Sequence, residues 1–119
     1  MADKVFRASH RYARISSRKA RLVADLVRGV SVNRALEELN YCHRRASPML
    51  RKVIRSAMAN AGQDLDVDVN RLFVKDVRVD EGPTQTRWRP RAQGRIYPIL
   101  KRTSHISVVL AEAAAEEIE

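Results

Sequence analysis

Residues 82–105 read G-P-T-Q-T-R-W-R-P-R-A-Q-G-R-I-Y-P-I-L-K-R-T-S-H, and the fold turns on how this stretch is read. From residue 82 to residue 107 there are six basic side chains (Arg87, Arg89, Arg91, Arg95, Lys101 and Arg102) and no acidic one. Trp88 and Tyr97 stand among them. Gly and Pro occur at both ends and in the middle, which marks turns. β-type runs flank the stretch, Leu72 to Val79 before it and Ile99 to Leu110 after it. Two strands therefore leave a folded body and return around a basic turn. Residues 82–98 show no core-facing alternation, so this arm protrudes. Its charge predicts entry into something negatively charged.

Outward from the arm, the chain supplies a body. Residues 4–15 alternate with a period of two, Phe6, Ala8 and Tyr12 on one face and Arg7 and Arg11 on the other, which predicts a strand. Ser16 and Ser17 are N-cap residues for a helix to about Arg28. Leu22, Val23, Leu26 and Val27 form its expected buried stripe, and Gly29 fits the C′ position. Ser31 caps a second helix to about Asn40, with Val32, Ala35, Leu36 and Leu39 inward. A third helix buries Leu50, Val53, Ile54, Ala57 and Ala61 and ends near Ala61–Gly62. Its start is open: Ser47-Pro48 reads as N-cap and first residue, and a start near Arg44 puts Pro48 inside the first turns. From Leu65 the period is two again, Leu65, Val67 and Val69 against Asp64, Asp66 and Asp68, and a strand is expected on through Phe73, Val77 and Val79. The fold class is α+β: three helices packed on a small three-stranded antiparallel sheet with a long protruding β-hairpin. One domain is expected over residues 1–119, with a body at about 4–81 and 99–110, an arm at about 82–98 and an acidic tail at 111–119.

The net charge of +9 is patterned. Residues 1–63 carry 14 basic and 4 acidic groups, whereas residues 64–81 carry 3 and 6. The positive charge thus gathers in two blocks, which points to a nucleic-acid partner. Arg dominates the arm, and guanidinium groups grip phosphate bidentately and stack on bases. Trp88 and Tyr97 offer further stacking surfaces, and packing that anchors the arm accounts for Trp88 equally well. Pro90 and Pro98 remove backbone donors and blunt the arm's edges. In the run Arg44, Arg45, Arg51, Lys52 and Arg55, a solvated helix face is as good a reading as an RNA contact. The arm lacks an apolar face, which sets aside a membrane-surface role.

Catalysis finds no residue set. His10, His43 and His105 are far apart and lie among Arg or Ser. Asp64-x-Asp66-x-Asp68 has the opening of a calcium loop, but Val69 stands where that loop needs Gly, so a solvated strand face is the reading and no metal is expected. No Gly-rich phosphate cradle is present, so no cofactor and no small-molecule substrate are expected. Cys42 is alone, which excludes an internal disulfide and fits a reducing compartment. No apolar run nears the ~20 residues of a membrane span, and there is no signal-peptide core. A cytoplasmic location is expected.

Five strings in order then carry a resemblance. They are Ile15-Ser16-x-Arg18-Lys19-Ala20-Arg21, Ser56-Ala57-x-Ala59-Asn60-Ala61, Asp80-Glu81-Gly82-Pro83-Thr84, Arg87-x-x-Pro90-Arg91-Ala92-x-Gly94-Arg95 and Lys101-Arg102-Thr103-Ser104-His105-Ile106. Over about residues 5–110 the chain closely resembles the bacterial form of the family of large ribosomal subunit protein twenty-two. The resemblance implies a small α+β body on the outer face of the subunit. It also implies a long hairpin through ribosomal RNA that lines the peptide exit tunnel, its tip at the constriction near the macrolide site. The implied RNA-binding residues are Arg14, Arg18, Lys19, Arg21, Arg87, Arg89, Arg91, Arg95, Lys101, Arg102 and His105. The implied tunnel-lining tip is Trp88, Arg89, Pro90, Arg91, Ala92, Gln93, Gly94 and Arg95. The implied partners are large-subunit ribosomal RNA, neighbouring large-subunit proteins and the nascent peptide. Two residues depart from the family pattern: Ser17 stands where Pro is frequent, and Trp88 is bulkier than the usual aliphatic residue.

A second class of function is a freestanding nucleic-acid-binding regulator, with residues 16–40 as a helix-turn-helix around Gly29-Val30-Ser31. Its recognition helix would carry Glu37 and Glu38 against one base, Arg34, which disfavours DNA.

Overall fold

In the computed structural model, residues 5–64 and 66–112 are described. Strand β1 (Val5–Ala13) is followed by helices α1 (Ser17–Val27), α2 (Val32–Tyr41) and α3 (Ala46–Gly62). Strands β2 (Leu72–Glu81), β3 (Gln85–Pro90), β4 (Ile96–Lys101) and β5 (Ser104–Glu112) complete it. β1, β5 and β2 form one antiparallel sheet in that order, and β3 and β4 form a separate two-stranded ribbon. The fold is α+β as expected. Residues 113–119 of the acidic tail lie outside the described residues, while Ala111 and Glu112 belong to β5. The hairpin runs past residue 98, since Ile99 and Leu100 sit on β4.

The three helices cover one face of the sheet, where Ile106, Val108 and Leu110 of β5 are fully buried. Phe6, Ala8 and His10 oppose them from β1, and Val74, Val77 and Val79 from β2. Two bulges keep this face inward. On β2 the register shifts between Val74 and Asp76, so Lys75 is the extra residue, and Val74 and Val77 both point to the core. That shift makes Leu72 and Val74 the buried pair and leaves Phe73 half-buried. On β1 the shift lies between His10 and Ala13, where Tyr12 has φ +60°. Tyr12 was expected on the face of Phe6 and Ala8. The bulge swings it outward instead, and its ring meets His105 edge-on at 4.8 Å.

The helix α1 corrects a second expectation. It buries Ser17, Ala20, Val23, Ala24 and Val27, while Leu22 and Leu26 face solvent, 49% and 46% exposed. Two arginines set this rotation. Arg21 donates from Nε and Nη2 to the Val79 carbonyl at 3.1 and 2.9 Å, and Arg28 donates to the Val77 carbonyl at 2.8 Å. These carbonyls lie on the open edge of β2, and Ala20 and Ala24 are small enough to let the helix sit against that edge. Gly29, at φ +79°, gives its N–H to the Val74 carbonyl, and Val74 returns its N–H to Val30. The β2 edge is thereby closed to other strands.

The helix α3 starts at Ala46, so Pro48 occupies the first turn, where backbone N–H groups have no helical partner. The strand expected from Leu65 begins only at Leu72. Asp64 and Asp68 each accept a backbone N–H two residues on, from Asp66 and Asn70 at 3.0 Å, and these Asx turns hold the chain off the sheet.

The arm is rooted by a small knot. Gly82 N–H donates to the Thr103 carbonyl at 2.9 Å, Thr103 Oγ1 to the Pro83 carbonyl at 2.6 Å, and Ser104 Oγ to the Ile15 carbonyl at 2.5 Å. A Cβ on Gly82 would stand 2.5 Å from Thr103 Oγ1 and 3.3 Å from the His105 ring. Gly82→Ala should therefore destabilise the protein by about 1–3 kcal/mol, as overpacking does. Thr103→Ala should recover part of that loss, which paired urea melts will show.

Candidate nucleic-acid interface

The register of the hairpin sorts its side chains onto two faces. Opposed residues of an antiparallel pair point to one side, and successive residues alternate. Gln85–Lys101, Arg87–Ile99 and Arg89–Tyr97 share one face. Arg91 and Arg95 continue it, their pairing closed by the Arg91 N–H donating to the Arg95 carbonyl at 2.7 Å. Arg87, Arg89, Arg91, Arg95 and Lys101 thus form one basic row, with Arg91 over the Tyr97 ring at 5.6 Å. Thr86–Leu100, Trp88–Pro98 and Pro90–Ile96 make the other face, which carries no charge. Contrary to the expectation from composition, the arm has an apolar face. The signal was the alternation T-R-W-R-P-R over residues 86–91, which its prolines and charges disguised.

Ala92–Gly94 form a single 3-10 turn at the tip, with Gln93 and Gly94 both at positive φ. Trp88, Arg89 and Pro90 lie on β3, and Arg91 to Arg95 span the turn itself. The ribbon carries the long axis of the molecule to 66 Å, and the radius of gyration is 17.7 Å. A compact chain of this length would have about 13–14 Å.

At its root the basic row meets the body. Arg14, Lys19, Arg44 and Arg45 of the body and Arg87, Lys101 and Arg102 of the arm line one cleft. No carboxylate lines it. Ser16 and Ala46 open into it as well, so the N-terminal ends of α1 and α3 both face the cleft and add their positive dipole ends. Among the described residues, none of these cations is held by an acid. Such a concave, acid-free surface concentrates anions.

The other sequence-derived candidates are placed differently. Arg18 is exposed on α1 and does not line the cleft. Arg21 holds β2, as described, with two of its donors. His105 accepts the Tyr12 N–H on Nδ1 at 3.0 Å and belongs to the arm's root. Arg44 and Arg45 were not separated from a solvated face by sequence, yet they close the cleft. Their signal was a run of cations directly before a helix start, with no acid between residues 39 and 63. On α2 the single base, Arg34, pairs with Glu38 at 3.4 Å, which leaves no recognition surface for a helix-turn-helix. Among the described residues no three His, Cys, Asp or Glu side chains gather as a metal site requires, and no helix is long and apolar enough to cross a membrane.

Comparison with known proteins agrees with this geometry. Residues 8–111 match the family model described as ribosomal protein L22p/L17e. The chain is 51% identical over 106 residues to the large ribosomal subunit protein uL22 of Bdellovibrio bacteriovorus, covering 89% of this chain and 96% of that protein. It is 52% identical over 106 residues to the protein of the same name from Syntrophus aciditrophicus, with the same shares covered.

Proposed function

Because the chain belongs to the ribosomal protein L22p/L17e family, structural and non-enzymatic proteins of the large ribosomal subunit in the cytoplasm, we propose that it binds large-subunit ribosomal RNA through its cleft and basic row and lines the peptide exit tunnel with its hairpin tip. One observation carries the RNA part: cations from the β1–α1 link, α1, the start of α3 and both hairpin strands converge with no acid among them. Phosphate oxygens are the ligands this surface fits, because guanidinium forks and helix N-termini both donate to them. Arg18 adds a contact from α1, and Arg21 and His105 act by holding the body and the arm's root. The length of the ribbon supports the tunnel part. The body stays at the subunit surface while Arg91 to Arg95, at the far end, reach the nascent peptide. Neighbouring subunit proteins complete the set of partners.

Salt titration tests the RNA part. Affinity for a large-subunit RNA fragment should fall steeply with salt, by about 0.7–0.9 log units per log unit of salt for each phosphate held. Arg44→Ala with Arg45→Ala should reduce that slope by about two, because two phosphate contacts are lost. An affinity nearly independent of salt would refute the reading.

A further inference from the structure

The apolar face of the hairpin is not used by the fold. Trp88 is 66% exposed, Ile96 61% and Leu100 50%, and Pro90 and Pro98 are exposed beside them. Trp88 therefore does not anchor the arm against the body. An isolated two-stranded ribbon is marginal in water, so this face needs a cover.

We infer that this face is a stacking platform for unpaired RNA bases, with Trp88 at its centre and Pro98, Pro90 and Ile96 as its floor. The inference rests on the RNA-binding reading above and adds which part of the nucleotide each face takes. Charge complementarity chooses the occupant. The basic row on the opposite side of the ribbon commits that side to phosphate, and residues 82–107 hold no acid that would repel the same polyanion on the apolar side. The shape of the face agrees. The indole is flat and the two pyrrolidine rings are conformationally restricted, so they lose little entropy when a base or ribose lies on them. Every base has a π-face, so such a platform tolerates sequence.

A peptide is disfavoured by the edges of the ribbon. Peptides join exposed sheets by adding a strand through backbone hydrogen bonds. Pro98 has no N–H, so Trp88–Pro98 is not a doubly hydrogen-bonded pair, and the backbone groups of this register face outward. Pro90 and Pro98 then each remove one of the outward donors that an added strand would use, one on each edge.

Trp88 is the single tryptophan of the chain, so its emission reports on this face alone. Two probes are added to the full-length protein: a single-stranded RNA octamer of mixed sequence, and an abasic ribose–phosphate octamer of equal charge. The RNA should quench Trp88 and bind roughly tenfold more tightly than the abasic chain. By anisotropy of labelled RNA, Trp88→Ala should lose roughly that tenfold with an unchanged salt slope, and Trp88→Phe should restore most of it. Equal binding of the two octamers with unchanged emission would overturn the platform while leaving phosphate binding intact. Weak, salt-independent binding of both would overturn the RNA reading and the platform with it. Quenching by an unstructured apolar peptide that competes with the RNA would assign the face to peptide and equally overturn the inference.

Discussion

Val23→Asp should leave the isolated protein without a cooperative thermal transition, and Leu26→Asp, three residues on, should leave it folded. Val23 has no solvent exposure and sits inside the apolar cluster with Ala20, Ala24 and Val27. A carboxylate there is either ionised and desolvated or protonated and short of hydrogen-bond partners, and both cost several kcal/mol. A domain of this size has only about 5–15 kcal/mol to lose. Leu26 lies outside the buried stripe of the same helix, 46% exposed. An acid near a helix C-terminus costs a few tenths to about 1 kcal/mol through the macrodipole. Circular dichroism melts of the two variants separate the cases. If Leu26→Asp unfolds the protein while Val23→Asp melts normally, α1 is rotated half a turn from the position described.

That pair of residues also shows where sequence stops being legible. The leucines at 22 and 26 and the alanines at 20 and 24 offer two overlapping helical stripes, and transfer energy alone favours the leucines. Packing chose the alanines because Arg21 and Arg28 bind carbonyls on the β2 edge, a long-range contact with no local trace. The stripe of α3 had no rival, and Leu50, Val53, Ile54, Ala57 and Ala61 are all buried as expected. Periodicity failed again wherever a bulge changed the parity of a strand, at Tyr12 and between Val74 and Asp76. The Asp64–Asp68 alternation looked like a strand, yet those aspartates bind their own backbone. In the candidate site, the cations of the arm were plain from composition. Their sorting onto one face, and the approach of Arg44 and Arg45 to Arg87 and Lys101, come from strand register and chain topology.

Excising residues 86–100 and joining Gln85 to Lys101 through an Asn-Gly turn should leave stability within about 1 kcal/mol of the parent and change what the tunnel does. Gln85 and Lys101 are already paired, so a two-residue turn closes the shortened ribbon in register. The buried set passes from Val79 directly to Ser104, so no core side chain is removed. Loss of Arg87, Arg89, Arg91 and Arg95 also relieves like-charge repulsion, which should nudge the melting temperature upward. RNA affinity should fall, and its salt slope should shrink by up to about four, one for each arginine that held a phosphate. Incorporation into the large subunit should survive on Arg14, Lys19, Arg44, Arg45, Lys101 and Arg102, which are all of the cleft's basic residues except Arg87. Ribosomes carrying the variant should then respond differently to macrolides or to stalling peptides, because the tunnel wall proposed for Arg91 to Arg95 is missing. Thermal melts, sedimentation of the variant with large subunits and a drug-sensitivity assay give the three readouts. Unfolding of the isolated variant would make the arm part of the core. A variant that folds and assembles but leaves drug and stalling responses unchanged would remove the tunnel role and leave RNA binding by the cleft in place.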